Sequence, residues 1–196
     1  MSELPITVVV PHLKSRDDLY ENYCLPSILA NNPSEILTLS GPEHVQWKRN
    51  EGARKAKNKF LFFCDDDIIM GKDMLRKLHA SIGKHDFAYC DYLAANHPVP
   101  NFLKHTAKDF NARELQRANY ISCMSLVRAS AFPGFDENLN RLQDWDMFLT
   151  MVSNGSTGVY VPNTNFIAFW FDKGITNSNK SEWQNAANAV RKKHGI

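Results

Sequence analysis

No stretch of this chain approaches the roughly 20 apolar residues that a membrane-spanning helix requires. The opening Met1-Ser2-Glu3-Leu4-Pro5 lacks the basic and apolar regions of a secretory leader. Cysteine is scarce: four in 196 residues, at positions 24, 64, 90 and 123, with no C-x-x-C pair. That pattern speaks against zinc and against a disulfide framework, and three of the four sit in apolar, strand-like stretches. Buried free thiols in a reducing compartment follow, and with them the expectation of a cytoplasmic protein without a membrane anchor of its own. An excess of one charge is missing too. The formal net charge of +2 is too small to demand nucleic acid as a partner, and the one basic concentration is Arg191-Lys192-Lys193-His194. The absence of a glycine-rich phosphate loop weighs against a nucleotidyltransferase acting on nucleoside triphosphates. Internal repeats and low-complexity linkers are also lacking.

What is present is an ordinary globular balance, 43% hydrophobic and 22% charged residues, in a chain long enough for one domain with a full core. Strand-like and helix-like segments alternate. Ile6 to Val10, Ile36 to Leu39 and Phe60 to Cys64 read as buried strands. Asp17 and Asp18 open a helix disturbed at Pro26, and Gly52 to Lys59 reads as a basic helical turn or two. Leu75, Leu78 and Ile82 recur at helical spacing between Asp73 and Gly83. Phe87 to Leu93 and Tyr120 to Val127 read as strands, with His97 to Asn111 a polar loop between them. Asn140 to Val152 reads as a buried helix, Val159 to Val161 and Phe166 to Phe171 as short late strands. A last helix carries a capping box at Ser181 and Gln184 and an apolar stripe of Trp183, Ala186, Ala187 and Val190. The alternation predicts an α/β fold with a mostly parallel sheet and helices on both faces. Ligands in such sheets bind beyond the carboxyl ends of the strands, which places Pro11-His12, Ser40-Gly41 and Asp65 to Asp67 on one rim.

Three constellations carry chemistry. Asp65-Asp66-Asp67 follows an apolar strand, and adjacent like charges are costly without a counter-ion. Mg²⁺ or Mn²⁺, which takes oxygen ligands and commonly one or two carboxylates plus phosphates, is the natural partner of Asp67 and Asp65. A solvated acidic turn or a helix cap is the alternative. Asp144 and Asp146 lie in a helix that otherwise reads as buried, so each needs a partner or a role. A partly buried carboxylate suits a general base, whereas a salt-bridged structural acid is preferred for Asp146. The basic run from Lys48 to Lys57 would serve a diphosphate, although basic helical faces are usually only solvated.

Taken together, from Ile6 to about Thr176, these segments resemble the family-2 glycosyltransferases, which have the GT-A fold. RNEGARKAKNKFLFFCDDD is similar to the family's Arg-Asn-x-Gly, strand and Asp-x-Asp pattern, in register without a gap. SLVRASAFPGFDENLNRLQDWDMFLTMVSNG is similar to its Gly-Phe-Asp-Glu segment and the helix that follows. The resemblance implies a metal-dependent inverting enzyme that moves a sugar from a nucleotide-diphosphate donor to an acceptor hydroxyl. It implies Asp65 and Asp67 as metal ligands and Asp144 as the base. Pro11, His12, Arg16, Ser40, Arg49, Asn50, Asp65 and Asp66 would face the donor, with Asp66 near the ribose. Trp145 is the candidate acceptor contact, as a surface for stacking a sugar, against the alternative of a core tryptophan. Residues 1–196 would form one Rossmann-like domain, with a nucleotide-sugar half to about residue 95 and a small acceptor and base half from about 96.

Three departures stand out. Ser40-Gly41-Pro42 occupies the place of a base-reading acid, Gln143 replaces the Glu ahead of the base, and Asp172-Lys173-Gly174 takes the place of a late metal-binding His. Asp172 is therefore a third candidate ligand. The acceptor is open among a glycan, a lipid-linked sugar, a protein and a modified base of viral DNA. A non-catalytic nucleotide-sugar-binding module on the same fold is the reading from another class.

Overall fold

The computed structural model describes residues 2–96, 102–170 and 180–196. Its strands are β1 (Leu4–Pro11), β2 (Pro33–Leu39), β3 (Phe60–Phe63), β4 (Ile68–Met70), β5 (Phe87–Asn96), β6 (Phe102–His105), β7 (Leu126–Arg128) and β8 (Gly158–Trp170). They form one sheet in the order β2-β1-β3-β7-β5-β8-β4, with β6 paired to β5. β1 is parallel to β2 and β3, and β8 is parallel to β5. β7 runs antiparallel to both β3 and β5, so those two share the common direction. The sheet is therefore mostly parallel in strand direction, with β4, β6 and β7 reversed. All but one residue of β1 and all of β3 are buried, as expected of central strands covered on both faces.

The helices are α1 (Asp17–Leu19), α2 (Leu25–Ala30), α3 (Val45–Lys55), α4 (Met74–Ser81), α5 (Ala112–Arg117), α6 (Gln143–Ser153) and α7 (Lys180–His194). Pro26 does not break the first helical run. A π turn over Tyr20–Cys24, closed by Leu25 N–H to the Tyr20 carbonyl, widens the helix ahead of the proline ring. α3 begins well before Gly52. Its buried face holds Gln46, Lys48, Arg49 and Gly52, so an apolar stripe does not mark it. Gly52 has a packing reason, because a Cβ there would fall on Val9 Cγ1.

Other expected elements are corrected. Only the end of Tyr120 to Val127 is a strand. Ahead of it Ser125 N–H bonds to the Cys123 carbonyl at 2.7 Å and Ser125 Oγ to the Ser122 carbonyl at 2.6 Å, a local alternative to a ladder. The polar stretch from His97 contains β6 and is followed by α5, whose Asn111 side chain caps Glu114 N–H at 3.1 Å. The two late strands are one, β8, whose pairing with β5 shifts register between Tyr89 and Asp91. In α7, Gln184 reaches forward to Asn188 at 3.1 Å. All four cysteines are free and buried, as expected. Among the described residues no helix is long and apolar enough to cross a membrane.

Candidate active site

The carboxyl ends of β1 and β3 open into a cleft of about 540 Å³. In-and-out alternation continues past β3: Cys64, Asp66, Ile68 and Met70 are buried, whereas Asp65, Asp67 and Ile69 are half-buried. The three aspartates therefore have different surroundings. Asp66 is 1% exposed and fully engaged. Its carboxylate accepts Leu13 N–H at 2.8 Å and Arg16 at 2.8 Å, and lies 3.0 Å from His12 Nδ1. It clamps the loop after β1. His12 turns away from the cleft and bridges Asp66 to Asp17, its Nε2 at 2.8 Å from the latter.

Asp67 and Asp65 face the cleft, each with one oxygen on an arginine. Asp67 Oδ2 is 2.8 Å from Arg16, and Asp65 Oδ1 is 2.5 Å from Arg49. Burial first, and then the Asp65 charge, push Asp67 up to about 7, with Arg16 pulling the other way. Burial works against the Arg49 guanidinium, yet Asp65 holds its pKa above the ordinary arginine value. Arg49 also donates to Gln143 at 3.2 Å and stacks on the Phe135 ring at 5.2 Å. One side chain thus ties the aspartate run to the start of α6.

Asp144 sits in the first turn of α6 and lines the cleft. Burial raises its pKa, while Trp145 N–H at 2.8 Å, the Asn119 side chain and the Arg49 charge restrain the shift. Asp146 is the structural acid expected: it is buried against Lys193 at 2.9 Å and His194 at 2.8 Å of α7. Trp145 is corrected to a core residue. It is 2% exposed, its indole N–H donates to the Leu115 carbonyl at 2.7 Å, and it does not reach the cleft.

Of the remaining candidates, Pro11 lines the cleft and Ser40 does not; Glu43 and Val45, a little further on, do. Asn50 instead holds the segment after Gly134, donating to the Phe135 carbonyl at 2.9 Å and accepting Phe135 N–H at 2.8 Å. Asp172 lies outside the described residues. Sequence reading missed Trp183. It lines the cleft, 47% exposed, while Ala187 and Val190 of the same stripe carry the packing of α7. A tryptophan at the free end of an apolar stripe was the available signal.

Among the described residues no group of three or more His, Cys, Asp or Glu side chains is placed to hold an ion. Two carboxylates are nonetheless a fitting donor set for Mg²⁺ or Mn²⁺, which completes its shell with phosphate and water. The upward shift at Asp67, caused by burial first and by the Asp65 charge second, is one that a bound cation would oppose.

A sequence model of glycosyl transferase family 2 matches residues 18–135, more than half of the chain. The chain belongs to glycosyl transferase family 2. No curated protein sequence matches this family-2 chain. Among solved structures, 95% of it superposes on S. aureus TarS 1–349 with a TM-score of 0.66 at 14% identity, covering 64% of that chain. The complex of TarS 1–349 with UDP gives 0.65 at 13% identity, with 95% and 64% covered. The complex with UDP-GlcNAc gives 0.63 at 14%, with 95% and 65% covered. The family-2 chain thus spans less than two thirds of these structures, and the likeness establishes a GT-A type α/β fold.

Proposed function

We propose that the protein is an inverting glycosyltransferase that uses a nucleoside diphosphate sugar and Mn²⁺ or Mg²⁺. The observation that carries this is Asp144, a carboxylate of raised pKa, on the same cleft as Asp65 and Asp67 and joined to Asp65 through Arg49 and the neighbouring Gln143. A second cavity of about 390 Å³ shares Tyr92, Asn119, Ser122 and Asp144 with the first, so Asp144 stands where two binding volumes meet. The donor occupies the larger cleft and the acceptor hydroxyl enters from the smaller. Asp144 takes the hydroxyl proton as the oxygen attacks the anomeric carbon opposite the leaving diphosphate, and a single in-line displacement inverts that carbon. A cation held by Asp67 and Asp65 would neutralise charge developing on the leaving group. Arg16 and Arg49 fix those carboxylates, and Asp66 fixes the loop that carries Arg16. Trp183, which lines the larger cleft where Trp145 does not, is the stacking surface proposed on the donor side.

UDP is the first donor nucleotide to test, because the similar TarS structures hold UDP and UDP-GlcNAc. Glycans, lipid-linked sugars and proteins remain the acceptors to screen. A DNA base loses support, since Lys193 and His194 are paired with Asp136 and Asp146 instead of forming a free basic patch. The test is a panel of nucleotide sugars with Mn²⁺, measuring stabilisation and donor hydrolysis. One nucleotide should stabilise the protein, by about 2.7 kcal/mol at a hundredfold excess over Kd, and Asp67→Ala should lose that effect. Failure of wild type to bind or hydrolyse any of them would sink the enzyme reading.

A further inference from the structure

Among the described residues four cations line the cleft, and three are matched by carboxylates: Arg16 by Asp66 and Asp67, Arg49 by Asp65, Arg141 by Glu182. Lys48 is the exception. It is 1% exposed, and among the described residues its ammonium has a single hydrogen-bond partner, the His12 carbonyl at 3.1 Å, and no carboxylate. A buried ammonium with one protein acceptor and no carboxylate is costly, and an anion in the cleft would relieve that cost. The place it occupies says which anion. His12 belongs to the loop that Asp66 clamps, so the ammonium stands beside the same strand ends that present Asp65 and Asp67. On α3, Val45, Lys48 and Arg49 lie one turn apart on one face and all line the cleft. We propose that Lys48 is a binding residue for the donor's diphosphate, supplying positive charge from the α3 side while the cation bound by Asp65 and Asp67 supplies it from the other. This assignment rests on the nucleoside diphosphate sugar reading above.

The test uses titration calorimetry with inorganic pyrophosphate plus Mn²⁺, which needs no knowledge of the base, and with UDP and uridine in parallel. In Lys48→Met, pyrophosphate and UDP should bind at least about tenfold more weakly and uridine as in wild type. The ligand-free Met variant should melt at the wild-type temperature or higher, because a poorly compensated buried charge has been removed. Lys48→Gln, which keeps a donor for the His12 carbonyl, should show the same affinity loss. Unchanged pyrophosphate binding in both variants would overturn the assignment, as would a loss shared equally by uridine. If wild type binds neither pyrophosphate nor any nucleoside diphosphate, the donor reading itself fails. If wild type binds them and the variants bind equally well, only the role of Lys48 fails.

Discussion

Asp65, Asp66 and Asp67 are identical in chemistry and differ only in which way the backbone turns them. Asp66→Ala would remove the buried acceptor shared by Leu13 N–H, His12 and Arg16, although His12 keeps Asp17 and Arg16 keeps Asp67, and should cost about 1–3 kcal/mol in chemical denaturation. Asp65→Ala would leave the buried Arg49 guanidinium without its ion-paired carboxylate, so it should cost at least as much and should also weaken nucleotide binding. The run itself was legible, because three carboxylates after an apolar strand ask for an explanation. Their division of labour was not, since it depends on loop contacts from residues 12 to 16 that spacing does not encode. Asp144 carries a pH prediction. As the proposed base it would act only when ionised, and burial raises its pKa, so kcat should rise with pH through a value above the usual carboxylate range of about 4. Asp144→Asn should lower kcat by a hundredfold or more, leave donor affinity intact and abolish that limb.

At the scale of elements, α3 shows why part of the site escaped the sequence. A basic face is ordinarily solvated, and only packing against β1 reveals that Lys48 and Arg49 are buried. Gly52 makes that packing close enough. Gly52→Ala should destabilise by about 1–3 kcal/mol through overpacking against Val9 and should also lower nucleotide affinity, because it moves the helix that carries both cations. α7 gives a second case. A basic last turn suits the dipole of any helix, whereas here Lys193 also bridges Asp136 at 2.7 Å and Asp146 at 2.9 Å. The Lys193 contact comes first, and Asn138 second, in holding Asp136 below its usual pKa. A depressed carboxylate contributes stability above its unfolded pKa and loses it as pH falls through the folded one. The stability gap between wild type and Lys193→Ala should therefore be full near neutrality and shrink below about pH 4, as read by urea melts.

Across the whole molecule, the expected halves are joined by a single sheet in which β3 of the first pairs with β7 of the second. Unfolding followed by circular dichroism and by tryptophan fluorescence should give coincident single transitions. The buried strands β1, β3 and β5 were legible because their apolar runs suffice to name them. β4 and β7, three residues each, were obscure because their partners lie far along the chain, and β6 because it is exposed and follows a polar stretch. That dependence has a temporal side. Among the described residues β4 pairs with β8 alone, a strand made some ninety residues later, and β4 leads directly out of the aspartate run. During synthesis the backbone that fixes Asp67, whose carbonyl accepts Phe169 N–H at 2.9 Å, must wait unpaired until β8 has left the ribosome. The cleft is thus among the last parts of this protein to become ordered, and chains halted before Phe166 should expose it to proteolysis while β1, β2 and β3 are already made.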